Sequence, residues 1–83
     1  MLEYKFDIQL HIEGEGLSEE AIGEHLAAAV AGDSLLVVGD ETLIKIHYHT
    51  NAPWAVLAYG GSLGDVFDVV VENMERQENG LHG

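Results

Sequence analysis

Hydrophobic and polar residues alternate along two segments of the chain, residues 4–12 and residues 42–49. Successive side chains of a strand point to opposite faces, so a period of two predicts strands with one buried face. The predicted inner faces are Tyr4, Phe6, Ile8, Leu10 and Ile12 in the first segment and Ile44, Ile46 and Tyr48 in the second. A tight turn at residues 39–41 joins the second segment to an apolar run, residues 35–38, which is typical of a buried strand. Together they predict a hairpin.

Two other segments have the spacing and end signals of helices. Ser18 is suited to cap the first helix, and Gly32 is placed to end it. Asn51 can cap the second, Pro53 is tolerated in its first turn, and Gly64 is a plausible stop. Residues 66–74 then form the last predicted strand, and the pattern is lost from residue 75 onward.

The resulting order, β-α-β-β-α-β, predicts an α+β fold of the ferredoxin-like plait type. Two crossovers around one hairpin give a four-stranded antiparallel sheet with both helices on one face and the first and third strands in the centre. We expect residues 1–74 to be a single domain and residues 75–83 to be a polar, disordered tail.

Composition limits the possible partners. The chain has 83 residues, fifteen of them acidic and three basic, and a formal charge of −12. Binding to nucleic acid or to anionic lipid needs Lys and Arg, so both are disfavoured. No stretch is long and apolar enough to span a membrane, and the N-terminus lacks the pattern of a signal peptide. We therefore expect a cytoplasmic protein.

Basic residues and histidines are concentrated on one predicted surface. If both helices cover one face of the sheet, the other face presents Lys5, Asp7, Gln9, His11, Lys45, His47 and His49. A polar sheet face can simply be wetted by water. Because cationic and imidazole groups are rare in this acidic chain, we instead favour a contact surface for a second copy, another domain or a ligand.

His47 and His49 are the main candidates for chemistry. Residues i and i+2 of a strand share a face, so the two imidazoles can converge on one ion or substrate group. A zinc site needs three or four protein ligands, and the chain has no cysteine, so His11, Asp7 or another chain would complete it. The alternative is a pair of solvated or hydrogen-bonded histidines. The chain contains neither a phosphate-binding P-loop nor a nucleophile elbow, which leaves it poorly equipped as a free-standing enzyme.

The central block of the sequence resembles a known family. The stretches GDSLLVVGD (32–40), LIKIHYHTN (43–51) and DVVVENM (68–74) resemble the middle domain of the ATP-binding subunit of fatty acid kinase, a dihydroxyacetone-kinase-like protein. The resemblance covers roughly residues 4–74. It implies a domain that supports a homodimer through the open sheet face and contributes a His-x-His pair, His47 and His49, to acyl phosphate formation. It also brings Thr50 and Asn51 into the candidate ligand or interface set.

The same resemblance implies which partners lie outside this chain. ATP and magnesium are expected in a neighbouring kinase domain, with no cofactor in this domain. The other expected partners are a DegV-like domain and a separate fatty-acid-binding protein. One residue departs from the family, which often has a cysteine where this chain has Lys5, and an ammonium there argues against zinc.

Two alternative functions remain open at this stage. The chain could be a stand-alone regulatory plait that binds a small ligand at a dimer interface. It could also be a metal-binding module built on His47, His49 and His11.

Overall fold

The computed structural model describes residues 2–80. Four strands and three helices follow one another as β1 (Phe6–Glu13), α1 (Glu19–Ala29), β2 (Gly32–Gly39), β3 (Leu43–Thr50), α2 (Pro53–Leu63), β4 (Asp65–Asn73) and α3 (Met74–Glu78). The strands form one antiparallel sheet in the order β2-β3-β1-β4. The first and third strands are central, and the predicted α+β plait is confirmed.

The core lies between the sheet and the two long helices. The alternating residues Ile8, Leu10, Ile12, Ile44, Ile46 and Tyr48 are buried, as their period of two predicts. Ile22 and Leu26 of α1 and Val56 of α2 pack onto them. Since only these faces are apolar enough to exclude water, the opposite faces of β1 and β3 are left without a helix layer.

The ends of the helices agree only in part with the sequence. Ser18 caps α1, where its hydroxyl accepts a hydrogen bond from the Ala21 amide at 3.1 Å, and Pro53 opens α2. Gly64 ends α2, but α1 ends at Ala29, before Gly32.

Asn51 does not cap α2, so that prediction is wrong. Ala52 holds the cap position without a side-chain hydrogen bond. The Asn51 amide group is instead occupied by the N-terminal segment, accepting from the Lys5 amide and donating to the Glu3 carbonyl.

Strand β2 is an edge strand rather than a buried one, which corrects a second prediction. Leu36 and Val38 are 47% and 40% exposed, while Leu35 and Val37 pack against the core. A continuous apolar run has no alternation, so the sequence could not show that only one face of the strand is covered.

The C-terminal segment contains a short helix that the sequence did not predict. The Asn73 side chain accepts a hydrogen bond from the Arg76 amide and so caps α3. Residues 81–83 of the predicted tail, including His82, lie outside the described residues.

Both edge strands carry a bulge. The register between β2 and β3 shifts after Asp33, where Ser34 has a φ of 56°, and the register between β1 and β4 shifts near Asp68, with a φ of 50°. A bulge twists a strand and locally interrupts its ladder.

Histidine and aspartate cluster on the open sheet face

The open face of the sheet has a polar centre between two apolar borders. Paired residues of antiparallel strands share a face, so Leu36 and Val38 lie beside His47 and Lys45 at the β2 edge. At the other edge, Phe67 and Val70 of β4 lie beside His11 and Gln9. We call Leu36, Val38, Phe67 and Val70 the apolar borders; all are at least 36% exposed.

Three side chains at the polar centre form what we call the His–Asp cluster, namely Asp7, His47 and His49. Asp7 Oδ1 lies 2.7 Å from His47 Nε2, and Asp7 Oδ2 lies 3.8 Å from His49 Nε2. The two imidazole rings are 5.2 Å apart at an angle of 71°. Asp7 stands directly opposite His49 in the β1–β3 register, so the strand pairing itself brings this carboxylate to the histidine pair.

The close contact between Asp7 and His47 is not a well-directed hydrogen bond. Both atoms, Asp7 Oδ1 and His47 Nε2, are buried, and neither has a hydrogen-bond partner of good geometry. Buried polar atoms normally have one, so these two are available to a third group placed between them. In its charged form His47 would also be stabilised directly by the carboxylate.

A second carboxylate lies beside the other ring nitrogen of His49. Asp33 pairs with His49 in the β2–β3 register, and its Oδ1 is 3.4 Å from Nδ1. A carboxylate at one imidazole nitrogen favours a proton there and leaves the other nitrogen free to accept. Sequence reasoning missed Asp33, because the pairing of two strands on either side of a turn and a bulge cannot be read from spacing.

The donor set of the His–Asp cluster is one that a metal ion can use. One atom from each of its three residues lies within 4.8 Å of the others, and two histidines with a carboxylate are a known zinc combination. Two ligands of a tetrahedral ion are roughly 3.3 Å apart. The 2.7 Å contact would therefore have to open for a metal ion to enter.

Three other predicted residues lie on the same face. Gln9 pairs with His47, and Lys45 pairs with His11. His11 stacks on Phe67 at 5.2 Å, and its Nδ1 atom is buried without a hydrogen-bond partner. Among the described residues, His11 is not part of the group of possible metal ligands.

Lys5, Thr50 and Asn51 have structural contacts away from the His–Asp cluster. The Lys5 ammonium lies 5.5 Å from the ring centre of Phe6. Thr50 is fully buried and donates to the Ala31 carbonyl, whereas Asn51 clamps residues 3 and 5. The structure thus places Asp7, and not Lys5, at the histidine pair.

Tyr48 fixes β3 from the core side, between the two histidines in sequence. Its hydroxyl donates to the Val30 carbonyl at the end of α1. Burial raises the pKa of the Tyr48 phenol, and Tyr4 and Asp33 raise it further, so the group stays a donor. The remaining described histidine, His25, is exposed on α1 and stacks on Tyr59 at 4.0 Å.

No helix among the described residues is long and apolar enough to cross a membrane. Curated relatives are found in Staphylococcus aureus, for example in strains USA300 and N315, where they bear the name uncharacterized protein. Each is 48% identical over 46 residues, which is 55% of this chain but 8% of the relative. The chain thus corresponds to a small part of these relatives.

A family model for the middle domain of FakA-like fatty acid kinase proteins matches residues 3–81. That match spans both central strands, the His–Asp cluster and nearly all of the chain. The chain therefore belongs to the FakA-like middle-domain family of fatty acid kinases.

Proposed function

We propose that this chain is the middle domain of a fatty-acid-kinase-like protein, in which it joins two copies and supplies His47 and His49 to acyl phosphate formation. The observation that carries the proposal is the His–Asp cluster at the centre of the open face, in a chain of this family. The greater length of the matched relatives supports a domain of a larger protein over a stand-alone ligand sensor.

The chemistry would be phosphoryl transfer. A carboxylate oxygen of the fatty acid forms a bond to the γ-phosphorus of ATP, the bond to the β,γ-bridging oxygen breaks, and ADP leaves. ATP and magnesium would be held by the neighbouring kinase domain, and the fatty acid by its binding protein. Since a carboxylate attacks without losing a proton, we expect the histidines to position the reactants and to neutralise phosphoryl charge.

Asp7 and Asp33 would support this role from two sides. Asp7 stabilises a charged His47, and Asp33 orients the His49 ring through Nδ1. The partner domains would approach the polar centre of the sheet, where both rings are partly exposed, at 31% and 27% of their side chains.

The apolar borders support the dimer part of the proposal. Exposed apolar residues at both sheet edges can be buried by a second copy, and its polar centre would then face the His–Asp cluster. The acidic residues of each copy would meet least repulsion here, because Lys45 and three histidines lie on this face.

The catalytic part is tested in the complete protein. We expect His47→Ala and His49→Ala to lower acyl phosphate formation by about 100-fold, the loss typical of a removed charge-stabilising group. His25→Gln, on the helix layer, is the control and should leave turnover unchanged. Unchanged turnover in both cluster variants would refute the catalytic role.

The dimer part is tested on the 83-residue chain by analytical ultracentrifugation. Val70→Lys places a charge on an apolar border and should shift the equilibrium toward monomer. Ala28→Lys makes the same charge change on exposed α1 and should have no such effect. A monomeric parent chain at high micromolar concentration would contradict the proposal.

A second candidate function, binding of a divalent cation, is favoured by the two buried atoms without partners. Zinc between His47, His49 and Asp7 would satisfy both atoms and stabilise the folded chain. We expect added zinc to raise the melting temperature of the parent chain but not that of Asp7→Asn. An equal response of both proteins, or none, would exclude this candidate.

A further inference from the structure

One long segment of this strongly charged chain is entirely free of acidic residues, lysine and arginine. Residues 46–64 contain no Asp, Glu, Lys or Arg, although fifteen acidic and three basic residues lie elsewhere. The segment includes all of α2, whereas the exposed side of α1 carries several glutamates. A helix that covers a core normally has charged or polar residues on its outer side, so the outer side of α2 is unusual.

The outer side of α2 carries an exposed aromatic residue in line with small residues. Trp54, Ala58 and Gly61 follow one another at i, i+4 and i+7, which places them on one stripe of the helix. Trp54 is 65% exposed, the highest value among the large hydrophobic residues described. We call these three residues the uncharged helix face.

Gly61 has no role within the domain that would require a glycine. A methyl group built on Gly61 would meet no atom within 4 Å, whereas one built on neighbouring Gly60 would meet Val66, Leu10 and Ile12 at 3.3–3.5 Å. Gly60 is therefore required by the core. A second glycine on the outside of a helix weakens it without improving packing, unless something outside the domain approaches closely there.

The two ends of the described chain emerge next to this face. Asn51, just before α2, binds the backbone of Glu3 and Lys5, and the Met74 amide donates to the Lys5 carbonyl at 2.8 Å. The first residues of the domain, the end of β4 and the start of α2 are thus held together. A domain joined to either end would begin within reach of Trp54.

We propose that the uncharged helix face is the docking surface for a neighbouring domain of the same polypeptide. The partner surface would be apolar and uncharged, with one side chain seated over Gly61 beside the Trp54 ring. This goes beyond the proposed function and uses the opposite layer of the domain, while it shares the premise of a larger protein. A second copy is the less suitable occupant, because each copy carries −12 and would bring the acidic α1 with it.

Hydrogen exchange of α2 tests the proposal. The amides of residues 54–62 are compared between the 83-residue chain and the complete protein encoded by its reading frame. We expect exchange at least about tenfold slower in the complete protein. Gly61→Gln should abolish this difference in the complete protein while leaving α2 folded in the shorter chain. The matched control, Ala28→Gln on exposed α1, should preserve the difference.

Several results would overturn the proposal. They are equal exchange in the two proteins, protection that survives Gly61→Gln, or a reading frame without a further domain. A dimer of the 83-residue chain that Trp54→Gln dissociates would assign the face to a second copy instead. Loss of turnover in the His47 variant is measured separately, so docking and catalysis can fail independently.

Discussion

The adjacent glycines of α2 provide the sharpest test of the packing described above. Gly60 faces the core and Gly61 faces outward, so replacing each by alanine makes the same chemical change in opposite environments. Alanine in a helix interior is favoured over glycine by about 0.5–1 kcal/mol. For Gly61→Ala nothing opposes this gain. The free energy of unfolding should rise by about 0.5–1 kcal/mol, which corresponds to about 2–8 °C in melting temperature for a domain of this size.

Gly60→Ala should lose that gain to crowding. The added methyl group would lie 3.3 Å from Val66 Cγ2 and 3.4 Å from Leu10 Cδ1, closer than carbon atoms normally pack. Overpacking of a core costs about 1–3 kcal/mol. We therefore expect Gly60→Ala to unfold with a free energy at least about 1 kcal/mol below that of Gly61→Ala.

Urea and thermal unfolding of both variants, followed by circular dichroism, measure this difference. Protein concentration must be held constant, since any dimer would make the stability depend on it. Equal dependence on urea concentration in all proteins would show that the change lies in the folded state. If Gly60→Ala stabilises the chain as much as Gly61→Ala, the assignment of inner and outer sides of α2 is wrong.

The remaining predictions concern the core and the turns. Tyr48→Phe leaves the buried Val30 carbonyl unpaired and should cost about 1–2 kcal/mol in urea unfolding, with Tyr4→Phe as the exposed control. Gly32→Ala would overlap the backbone of β3, so little folded protein should remain by circular dichroism. Hydrogen bonds from Thr42 hold the pKa of Asp40 below its ordinary value. Its contribution to stability is present above about pH 4 and is lost as the pH falls through the lower folded pKa. Asp40→Ala should flatten that part of the acid unfolding curve, and an unchanged curve would contradict the assignment.

Local pattern predicted the central part of the fold well. The strict alternation in β1 and β3 is a consequence of one face being buried, so it carried the correct inner faces and the central pairing. The Ser18 cap was also predicted, because a helix N-terminus depends on a side chain only three residues away.

The edge strands and the site could not be predicted in full because they depend on long-range pairing. The apolar runs of β2 and β4 show no alternation, so the exposure of residues such as Leu36 and Val70 followed only from register and bulges. The sequence placed the histidine pair and Asp7 on one face. It could not show that Asp7 contacts His47 while the Lys5 ammonium turns to Phe6.

The bulges at Ser34 and Asp68 have a consequence for how this domain can associate. Both outer strands present an interrupted ladder, and Asp68 adds a charge to one of them. Such edges resist the addition of a further strand from another molecule, which is the usual route from a native sheet to fibrils. Association is thereby directed to the two broad sides of the molecule. The domain can accept a different neighbour on each side without growing into an open-ended sheet.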